Sequence, residues 1–503
     1  MSFAVNFPLF LVIACLVSAV VSSLLPHRAA RVVSLCLTAA SVAANMLLAG
    51  YLYGLGNPVT YLMGHYSHPW GNELLLTVTG AVMSACFSAI LFLCLLGGGA
   101  DAERLIAKGK VRYLYVLSDL VQVALLVFAY TNDIFTGYVF IEICTIASCG
   151  LLMIRENGKS ILAAIRYMIF SLVGSGLFLF GVIFLYGITG QLLFPDLAAA
   201  VGTLWEEGSY HAPLLASISL ITVGLAIKSG LFPFHLWMAD TYGAAVPASS
   251  GILSGLVSKG YILFLIRIIL DCFGTDVFYA CGIRAVLYVL GACGIIIGSV
   301  GALREKDIFR MVAYSSAAQI GYVYLALGLP RGIGLTAALV QMLAHAVTKP
   351  ALFLECGRFS ALHGGARKFK SLWGAAHRNV FTGMAFAFGA FSMIGLPLTA
   401  GFIPKFLTGS ASFSARLPET LVTLLVLAVS TILNTLYYAR TVIRLFKDGP
   451  GEGEPAPEAA PAVPGAQGLL GRGETVAYRV AIVLFIMLNI LLGTRAGLLM
   501  KLF

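Results

Sequence analysis

Acidic and basic side chains lie deep inside apolar stretches of this sequence, where their chemistry would be proton transfer. Glu142 falls within "YVFIEICTIASC" and Lys259 within "SGLVSKGYILF". A charge at the centre of a bilayer costs about 2.5 to 3.5 kcal/mol on insertion scales, so a chain rarely keeps one without a role. The candidate proton pathway consists of six residues: Glu142, Lys228, Lys259, His345, Lys349 and Lys405.

Lysine suits this chemistry because its protonation responds to its surroundings. Burial in a low-dielectric environment lowers the pKa of a lysine, and a nearby carboxylate raises it again. An arginine would not respond, since its pKa stays above about 12. We expect Lys228 to hold its proton when Glu142 is near, and to donate towards Lys259 when Glu142 moves away. His345 and Lys349 are four residues apart and therefore share a helix face.

Two apolar stretches contain a proline within a glycine-flanked break, "SGLFPF" around Pro233 and "IGLPLTAG" around Pro397. A mid-helix proline leaves a backbone carbonyl unpaired, which lipid cannot satisfy. Paired interruptions at corresponding places in two halves indicate an ion path between inverted repeats. The breaks therefore predict a duplication of five helices per copy. His235, just after the first break, is an additional relay candidate.

Structural explanations compete with this interpretation. A lysine near a helix end usually extends its ammonium group to the lipid headgroups, which is the alternative for Lys228 and Lys405. A single buried histidine is more often an ordinary core residue, so the role of His235 stays open. Three further acids are interpreted as structural or interfacial: Asp119, Asp240 and Glu355.

The elements that position these residues are predicted to be membrane helices. The chain is 59% hydrophobic and 11% charged, whereas soluble domains average about 25% charged. Apolar runs of roughly 20 residues, enough for a helix to cross a bilayer, recur about fourteen times. They are continuous rather than alternating, unlike barrel strands. The expected fold class is an all-α polytopic membrane protein whose first run is retained as a span.

Basic residues are placed between the apolar runs, so the net charge of +10 reports topology rather than nucleic-acid binding. Clusters such as "ERLIAKGKVR" and "GGARKFK" occupy the odd-to-even connections. The opposite loops, 55–72, 190–211 and 272–278, contain no Lys or Arg. By the positive-inside rule, both termini are expected on the non-cytoplasmic side.

Cofactor and metal signatures are missing from the sequence. There is no P-loop, dinucleotide glycine pattern or catalytic triad signature. The ten cysteines have no metal-ligand spacing, although a bridge between Cys272 and Cys281 stays open. We therefore expect no cofactor, no metal and no catalytic site of its own, with driving energy supplied by partners or an ion gradient.

Five ordered stretches resemble the proton-conducting antiporter-like subunit family over roughly residues 70 to 445: "FIEICTIASCGLLMI", "KSGLFPFHLWMADTYGAAVPASSGILSGLVSKGY", "LREKDIFRMVAYSSAAQIGY", "HAVTKPALFLECG" and "GLPLTAGFIPKF". Members of that family occur in respiratory complex I, Mrp-type sodium/proton antiporters and membrane-bound hydrogenases or formate hydrogenlyases. The resemblance implies a fourteen-helix fold with two inverted five-helix repeats, broken helices seven and twelve, and a hydrated polar axis at the membrane midplane. It also implies a prokaryotic inner (plasma) membrane location.

By motif, Glu142 resembles the family's fifth-helix glutamate, Lys228 its seventh-helix partner and Lys259 the eighth-helix lysine. In the same way His345 and Lys349 resemble the eleventh-helix relay. The terminal residue of the twelfth helix is Lys405, where M-type subunits of complex I have glutamate. The chain therefore looks closer to the Mrp D type or the N type. The eleventh-helix motif departs from the usual pattern at Pro350 and Glu355.

The domain organisation implied by this resemblance has five parts. These are N-terminal helices at 1–111, a first repeat at 112–271, a second repeat at 279–447, a flexible linker at 448–474 and a C-terminal helix at 475–503.

The predicted function is that of a proton-translocating subunit in a multisubunit, energy-converting membrane complex. Its partners would be other membrane subunits, protons and the lipid bilayer, with sodium as a further candidate ion and no nucleic acid. The alternatives are an Mrp-type Na⁺/H⁺ antiporter subunit or a stand-alone cation/proton antiporter. A haem enzyme would need a pair of axial ligands, which His235 and His345 do not supply. A structural anchor would leave the buried lysines idle.

Overall fold

Helices form almost the whole of the computed structural model, which describes residues 3–66, 71–208, 210–330, 332–448, 472–495, 497 and 500. The first ten are α1 (Phe7–Leu24), α2 (His27–Leu55), α3 (Val78–Leu105), α4 (Val111–Tyr130), α5 (Ile134–Met153), α6 (Gly158–Thr189), α7 (Phe194–Glu206), α8 (His211–Ser229), α9 (Leu236–Ala244) and α10 (Pro247–Ile252). The others are α11 (Ser258–Arg267), α12 (Thr275–Ala280), α13 (Ile283–Arg304), α14 (Ile308–Leu327), α15 (Ile333–Leu362), α16 (Ala375–Arg378), α17 (Val380–Ile394), α18 (Phe402–Ser412), α19 (Leu417–Phe446) and α20 (Arg472–Thr494).

Short elements complete the described secondary structure. Strands β1 (Val59–Leu62) and β2 (Glu73–Leu76) pair antiparallel. Three 3₁₀ turns cover Phe3–Asn6, Met63–His65 and Phe369–Ser371, and two π-helical segments cover Leu253–Val257 and Ile268–Phe273.

Twelve helices of the described chain are long and apolar enough to cross a membrane. One of them runs unbroken from α10 through both π-helical segments, over Pro247–Phe273. Helix α14, with 20 residues, and the interrupted pair α17 and α18 bring the crossing elements to fourteen. The prediction of an all-α polytopic protein with about fourteen transmembrane helices is confirmed.

Two spans form the centre of the bundle. The apolar windows of Pro247–Phe273 and of α15 are 100% buried, whereas that of α19 is only 28% buried. Three of the six predicted pathway residues lie on these two central spans. The outer helices instead expose large aliphatic side chains, as a lipid-facing surface requires.

Both predicted helix breaks are present and have the same backbone geometry. Gly230 ends α8 with φ 82° and Gly395 ends α17 with φ 95°, a left-handed conformation that glycine adopts without strain. After each glycine, the next backbone N–H donates to the carbonyl five positions earlier, at 3.0 and 3.1 Å. This Schellman arrangement satisfies the helix-end carbonyls. Identical caps before Pro233 and Pro397 support the predicted duplication.

Capping side chains fix where the relevant helices begin. Asp307 accepts from the N–H groups of the first turn of α14, at 2.8 and 3.2 Å. Asn379 caps α17 at 3.1 Å, and Asp133 caps α5. Each of these residues satisfies a donor that the helix cannot pair internally.

Differences from the sequence expectations lie in the connections. The stretch 190–211, expected to be a loop, contains α7, a helix too short to span but amphipathic, with Phe194, Leu197 and Val201 buried. Cys272 and Cys281 are both free thiols, so the bridge between them is not formed. Most of the predicted linker 448–474 lies outside the described residues, and the boundaries of the five predicted parts stay predictions.

Candidate proton pathway

An ion pair and a hydroxyl group surround Lys228 at the end of α8. Its Nζ lies 4.0 Å from Glu142 Oε1 and donates to Thr145 Oγ1 at 2.5 Å. Lys228 is 2% exposed, so its ammonium group does not reach the headgroups. The Glu142 side chain is 27% exposed, and its Oε1 has no hydrogen-bond partner among the described residues. The carboxylate is therefore held loosely, whereas Thr145 fixes the lysine.

The next predicted residue, Lys259, lies on α11, two positions before Tyr261. The Tyr261 hydroxyl lies 3.3 Å from Thr145 Oγ1, and Lys228 Nζ lies 5.7 Å from the centroid of its ring. Lys259 is fully buried and donates to the Ser254 carbonyl at 2.5 Å. That carbonyl belongs to the π-helical segment Leu253–Val257, and such segments often mark functional sites.

His345 lies on α15, four positions before Lys349 on the same helix. It is fully buried, and neither ring nitrogen has a hydrogen-bond partner among the described residues. Buried polar groups are normally satisfied, often by internal water. The imidazole is therefore placed to exchange protons with internal water, and it shares one helix with Lys349 as the spacing predicted.

A row of hydrogen-bonding side chains leads from Lys349 along the interface of α14 and α19. Lys349 Nζ donates to the Tyr438 hydroxyl at 3.1 Å. The Tyr438 hydroxyl and Ser315 Oγ are 3.0 Å apart, and Tyr437 lies 2.9 Å from the same serine. Tyr437 also donates to Asn434 Oδ1 at 2.7 Å.

The row continues from Asn434 to Lys405. Ser299 Oγ on α13 donates to Asn434 Oδ1 at 3.4 Å and lies 3.3 Å from Ser430 Oγ. The Tyr322 hydroxyl donates to Ser430 at 2.8 Å. Lys405 Nζ lies 5.4 Å from the centroid of the Tyr322 ring. All members of this row apart from Lys405 are buried, so a row of polar groups runs inside the protein from Lys349 to Tyr322, beside the Lys405 ammonium group.

Lys405 reaches back across the second helix break. Its Nζ donates to the carbonyls of Ile394 at 2.6 Å and Met393 at 3.3 Å, which are the last residues of α17. A helix C-terminus carries unpaired carbonyls and a partial negative charge, so it stabilises an ammonium group. Lys405 therefore points into the protein rather than towards the headgroups.

The remaining candidates lie apart from this row. His235 is 4% exposed, its ring lies 5.7 Å from that of Phe232 at a tilt of 36°, and its Nδ1 has no partner among the described residues. No described contact joins His235 to Lys228. Glu355 is 1% exposed, and its Oε2 likewise has no partner in the described chain, so it is a buried acid rather than an interfacial one.

Asp119 and Asp240 have the structural contacts expected of them. Asp119 accepts from Ser18 at 2.6 Å and Ser34 at 2.5 Å, and so ties α4 to the first two helices. Asp240 pairs with Arg166 and with Arg310 Nη1, the latter at 2.5 Å.

Sequence reasoning missed the hydroxyl and amide groups that connect the charges. A signal for some of them was present in "TILNTLYYAR", where Asn434, Tyr437 and Tyr438 follow the spacing of one helix face in an apolar run. Thr145 had no such signal, because a single threonine in a membrane helix is common.

The six predicted pathway residues fall within one region that is shared with known proteins. The model of the family described as NADH:quinone oxidoreductase/Mrp antiporter, TM, matches residues 131–432, which include Glu142 and Lys405. The chain belongs to this family. The resemblance stated from the five motifs is confirmed, and the protein is a multi-pass membrane member of the family.

Relatives occur in two kinds of complex. NADH-quinone oxidoreductase subunit N of Desulforudis audaxviator is 32% identical over 418 residues, covering 82% of this chain and 80% of that protein. The D-type Na⁺/H⁺ antiporter subunit of Alkalihalophilus pseudofirmus is 27% identical over 388 residues, covering 77% and 76%. The chain is thus similar to the two subunit types that Lys405 indicated.

Solved structures share the fold of this family member. The Mrp complex from Dietzia sp. matches with a TM-score of 0.84 at 24% identity, over 100% of this chain and 96% of that one. The archaeal membrane-bound sulfane sulfur reductase complex matches with a TM-score of 0.83 at 24% identity, over 99% and 96%. At this identity the likeness supports the fold alone.

Proposed function

We propose that this chain is a proton-translocating subunit of a multisubunit, energy-converting membrane complex, in the manner of its relatives in complex I and Mrp. The observation that carries the proposal is the buried row of hydrogen-bonding groups from Lys349 to Tyr322, whose ring centroid lies 5.4 Å from Lys405 Nζ, together with the Glu142–Lys228 pair and His345. A purely structural protein would gain nothing from burying Lys349 without a carboxylate partner among the described residues.

Proton movement begins at the loose ion pair. Two unit charges 4 Å apart interact by about 4 kcal/mol at an effective dielectric constant of 20. When Glu142 lies near, this attraction keeps the proton on Lys228, and Thr145 holds the ammonium group in place. When Glu142 moves away, the attraction is lost and the proton is released towards Lys259 past Tyr261.

Asn434 divides the second part of the pathway. Lys349 can only donate and the Asn434 carbonyl oxygen can only accept, and the Tyr437 hydroxyl between them has one proton, which it donates to Ser315 or to Asn434. Tyr322 at the other end likewise donates towards Asn434 through two serines. A hydroxyl relays a proton by accepting one and donating another, but an amide oxygen does not. Protons therefore pass Asn434 only when water bridges the gap.

Topology follows from the basic face, defined as the bundle end that carries the connections 106–110, 154–157, 305–307 and 363–374. Ion pairs tie these connections together: Lys110 contacts Glu156, and Arg367 lies 3.5 Å from Asp307. The basic face is cytoplasmic in this proposal, and both termini lie on the opposite side.

The proposal is tested in proteoliposomes that contain the whole purified complex. Lys228→Ala and Lys405→Ala should each abolish ΔpH formation while leaving the complex assembled. The exposed loop residue Lys108 provides the matched control, since Lys108→Ala removes the same group outside the pathway. Undiminished pumping by both pathway variants would refute the assignment.

Sodium exchange is the second candidate, favoured by the similarity to the D-type antiporter subunit. A stand-alone antiporter predicts sodium-driven proton movement by the purified single chain in liposomes. An Mrp-type subunit predicts the same exchange only in the complete complex.

A further inference from the structure

A cavity of about 620 Å³ opens on the basic face between the α13–α14 connection, the 363–374 connection and the end of α19. Glu305 is the one acid among the described residues that line it, and Arg310 Nε already binds that carboxylate at 3.0 Å. Six basic side chains line the cavity: Arg304, Lys306, Lys368, Lys370, Arg440 and Arg444.

Backbone hydrogen bonds fix the frame on which these cations stand. The Phe369 N–H donates to the Lys306 carbonyl at 3.0 Å, which joins the two connections. The Gly374 N–H donates to the Arg444 carbonyl at 3.2 Å, which joins the second connection to α19. Arg444 also stacks over the rings of Phe369 and Trp373, each at 5.6 Å. The cations therefore stand on three segments that backbone hydrogen bonds join to one another, rather than on separate loops.

Charge balance distinguishes this cavity from the rest of the basic face. Elsewhere on that face Lys110 pairs with Glu156, and Arg310 pairs with Asp240. Five cavity side chains form no ion pair within the described chain: Arg304, Lys306, Lys368, Lys370 and Arg440. The positive-inside rule alone would explain positive charges on this face. It would not explain why they converge on one cavity, where they repel one another.

The position of the cavity at the border of the lipid-facing surface indicates what occupies it. Arg440 lies between Leu436, which is 51% exposed, and Ile443, which is 60% exposed, on the outer side of α19. Trp373 lies in the cavity wall, and tryptophan favours the membrane–water interface. The cavity therefore stands at the edge of the lipid-facing surface, with aliphatic side chains leading away from it along α19.

We propose that this cavity binds the headgroup of an anionic phospholipid. The phosphate is held by the ammonium and guanidinium groups, and the acyl chains lie against the exposed aliphatic stripe of α19. Basic pockets beside membrane helices on the cytoplasmic side bind such headgroups, and arginine matches phosphate oxygens with paired donors. The inference is independent of proton transport.

The test compares two double variants of equal charge change in the intact complex. Lys368→Gln with Lys370→Gln removes two cavity cations, whereas Arg28→Gln with Lys108→Gln removes two exposed cations elsewhere. Each complex is delipidated in neutral detergent and titrated with phosphatidylglycerol or phosphatidylcholine, with bound lipid counted by native mass spectrometry. A contribution of about 1 kcal/mol per cation predicts about 30-fold weaker phosphatidylglycerol binding for the cavity variant alone.

Three results would overturn the proposal. Equal phosphatidylglycerol binding by the cavity variant and the control variant would place the lipid elsewhere. If inorganic phosphate at saturation blocks all phosphatidylglycerol binding, and the acyl chains contribute nothing to the affinity, the cavity is an ion site. Loss of a copurifying subunit from the cavity variant, with lipid binding unchanged, would assign the cavity to an acidic protein segment.

Discussion

Replacing Thr145 by valine should slow proton pumping without changing any charge. Its Oγ1 accepts from the Lys228 ammonium group at 2.5 Å and donates to the Ile141 carbonyl at 2.8 Å. Valine has nearly the same shape but offers no acceptor. A hydrogen bond to a charged group contributes about 1.5 to 3 kcal/mol. Since about 1.4 kcal/mol is a factor of ten, a step that depends on the Lys228 position should slow by about 10- to 150-fold.

Proton pumping is measured as dye quenching in proteoliposomes that contain the complete complex, and the driving reaction is followed separately. Thr222→Val is the matched control, because Thr222 is a buried threonine on α8 whose hydroxyl has no partner among the described residues. Thr145→Ser, which restores the hydroxyl, should recover most of the lost rate. All three threonine variants should assemble like the wild type, as copurification of the other subunits will show.

The reasoning fails if Thr145→Val pumps at the wild-type rate while Lys228→Ala does not pump at all. The lysine would then act without the hydroxyl, and Glu142 would be enough to position it. Equal losses in Thr145→Val and Thr222→Val would instead show a packing effect of the substitution.

Three further variants test other parts of the structure. Asn434→Asp replaces the amide by a group that exchanges protons, so passive proton permeability under an imposed ΔpH should rise; permeability equal to wild type would contradict the insulating role. Tyr438→Phe removes one of two acceptors of Lys349, leaving the Val312 carbonyl, and should lower pumping about tenfold, a step worth about 1.4 kcal/mol, with assembly intact. Gly401→Ala should destabilise the second break in a thermal melt, because its Cβ would collide with a carbonyl oxygen of α17, whereas the Cβ of Gly409→Ala would make only ordinary van der Waals contacts, at 3.7 and 3.9 Å, and should not.

The charged members of the pathway and the two breaks could be predicted because each violates a strong rule. A lysine or glutamate in an apolar run carries a large insertion penalty, and a proline interrupts the backbone ladder, so Lys259 and Pro233 stand out in one sequence. The structure adds which partners meet. Ser315 and Tyr437 are 122 positions apart, and nothing local in either stretch indicates their contact.

The neutral connectors escaped prediction for an energetic reason. Threonine and serine enter membrane helices at little cost, since their hydroxyls bond to the preceding turn, as Thr145 does with Ile141. Tyrosine also enters at little cost, since most of its side chain is apolar. Their presence therefore carries almost no information in one sequence. The position of the Lys405 ammonium group could not be predicted either, because its contact with the Ile394 carbonyl depends on how α18 folds back against α17.

The two ends of the pathway are built alike but are not equivalent. Lys228 and Lys405 each place an ammonium group beside a helix end that a left-handed glycine closes. Only Lys228 has a carboxylate within 4.0 Å among the described ion pairs, and that carboxylate, on Glu142, is 27% exposed. A partner protein packed on α5 could therefore reposition Glu142 directly, whereas Lys405 is held by fixed backbone carbonyls. The driving reaction should therefore be coupled to the pathway at its Glu142 end. A charged substitution on the exposed face of α5, such as Val139→Glu, should then disturb pumping more than a charged substitution on the exposed face of α19.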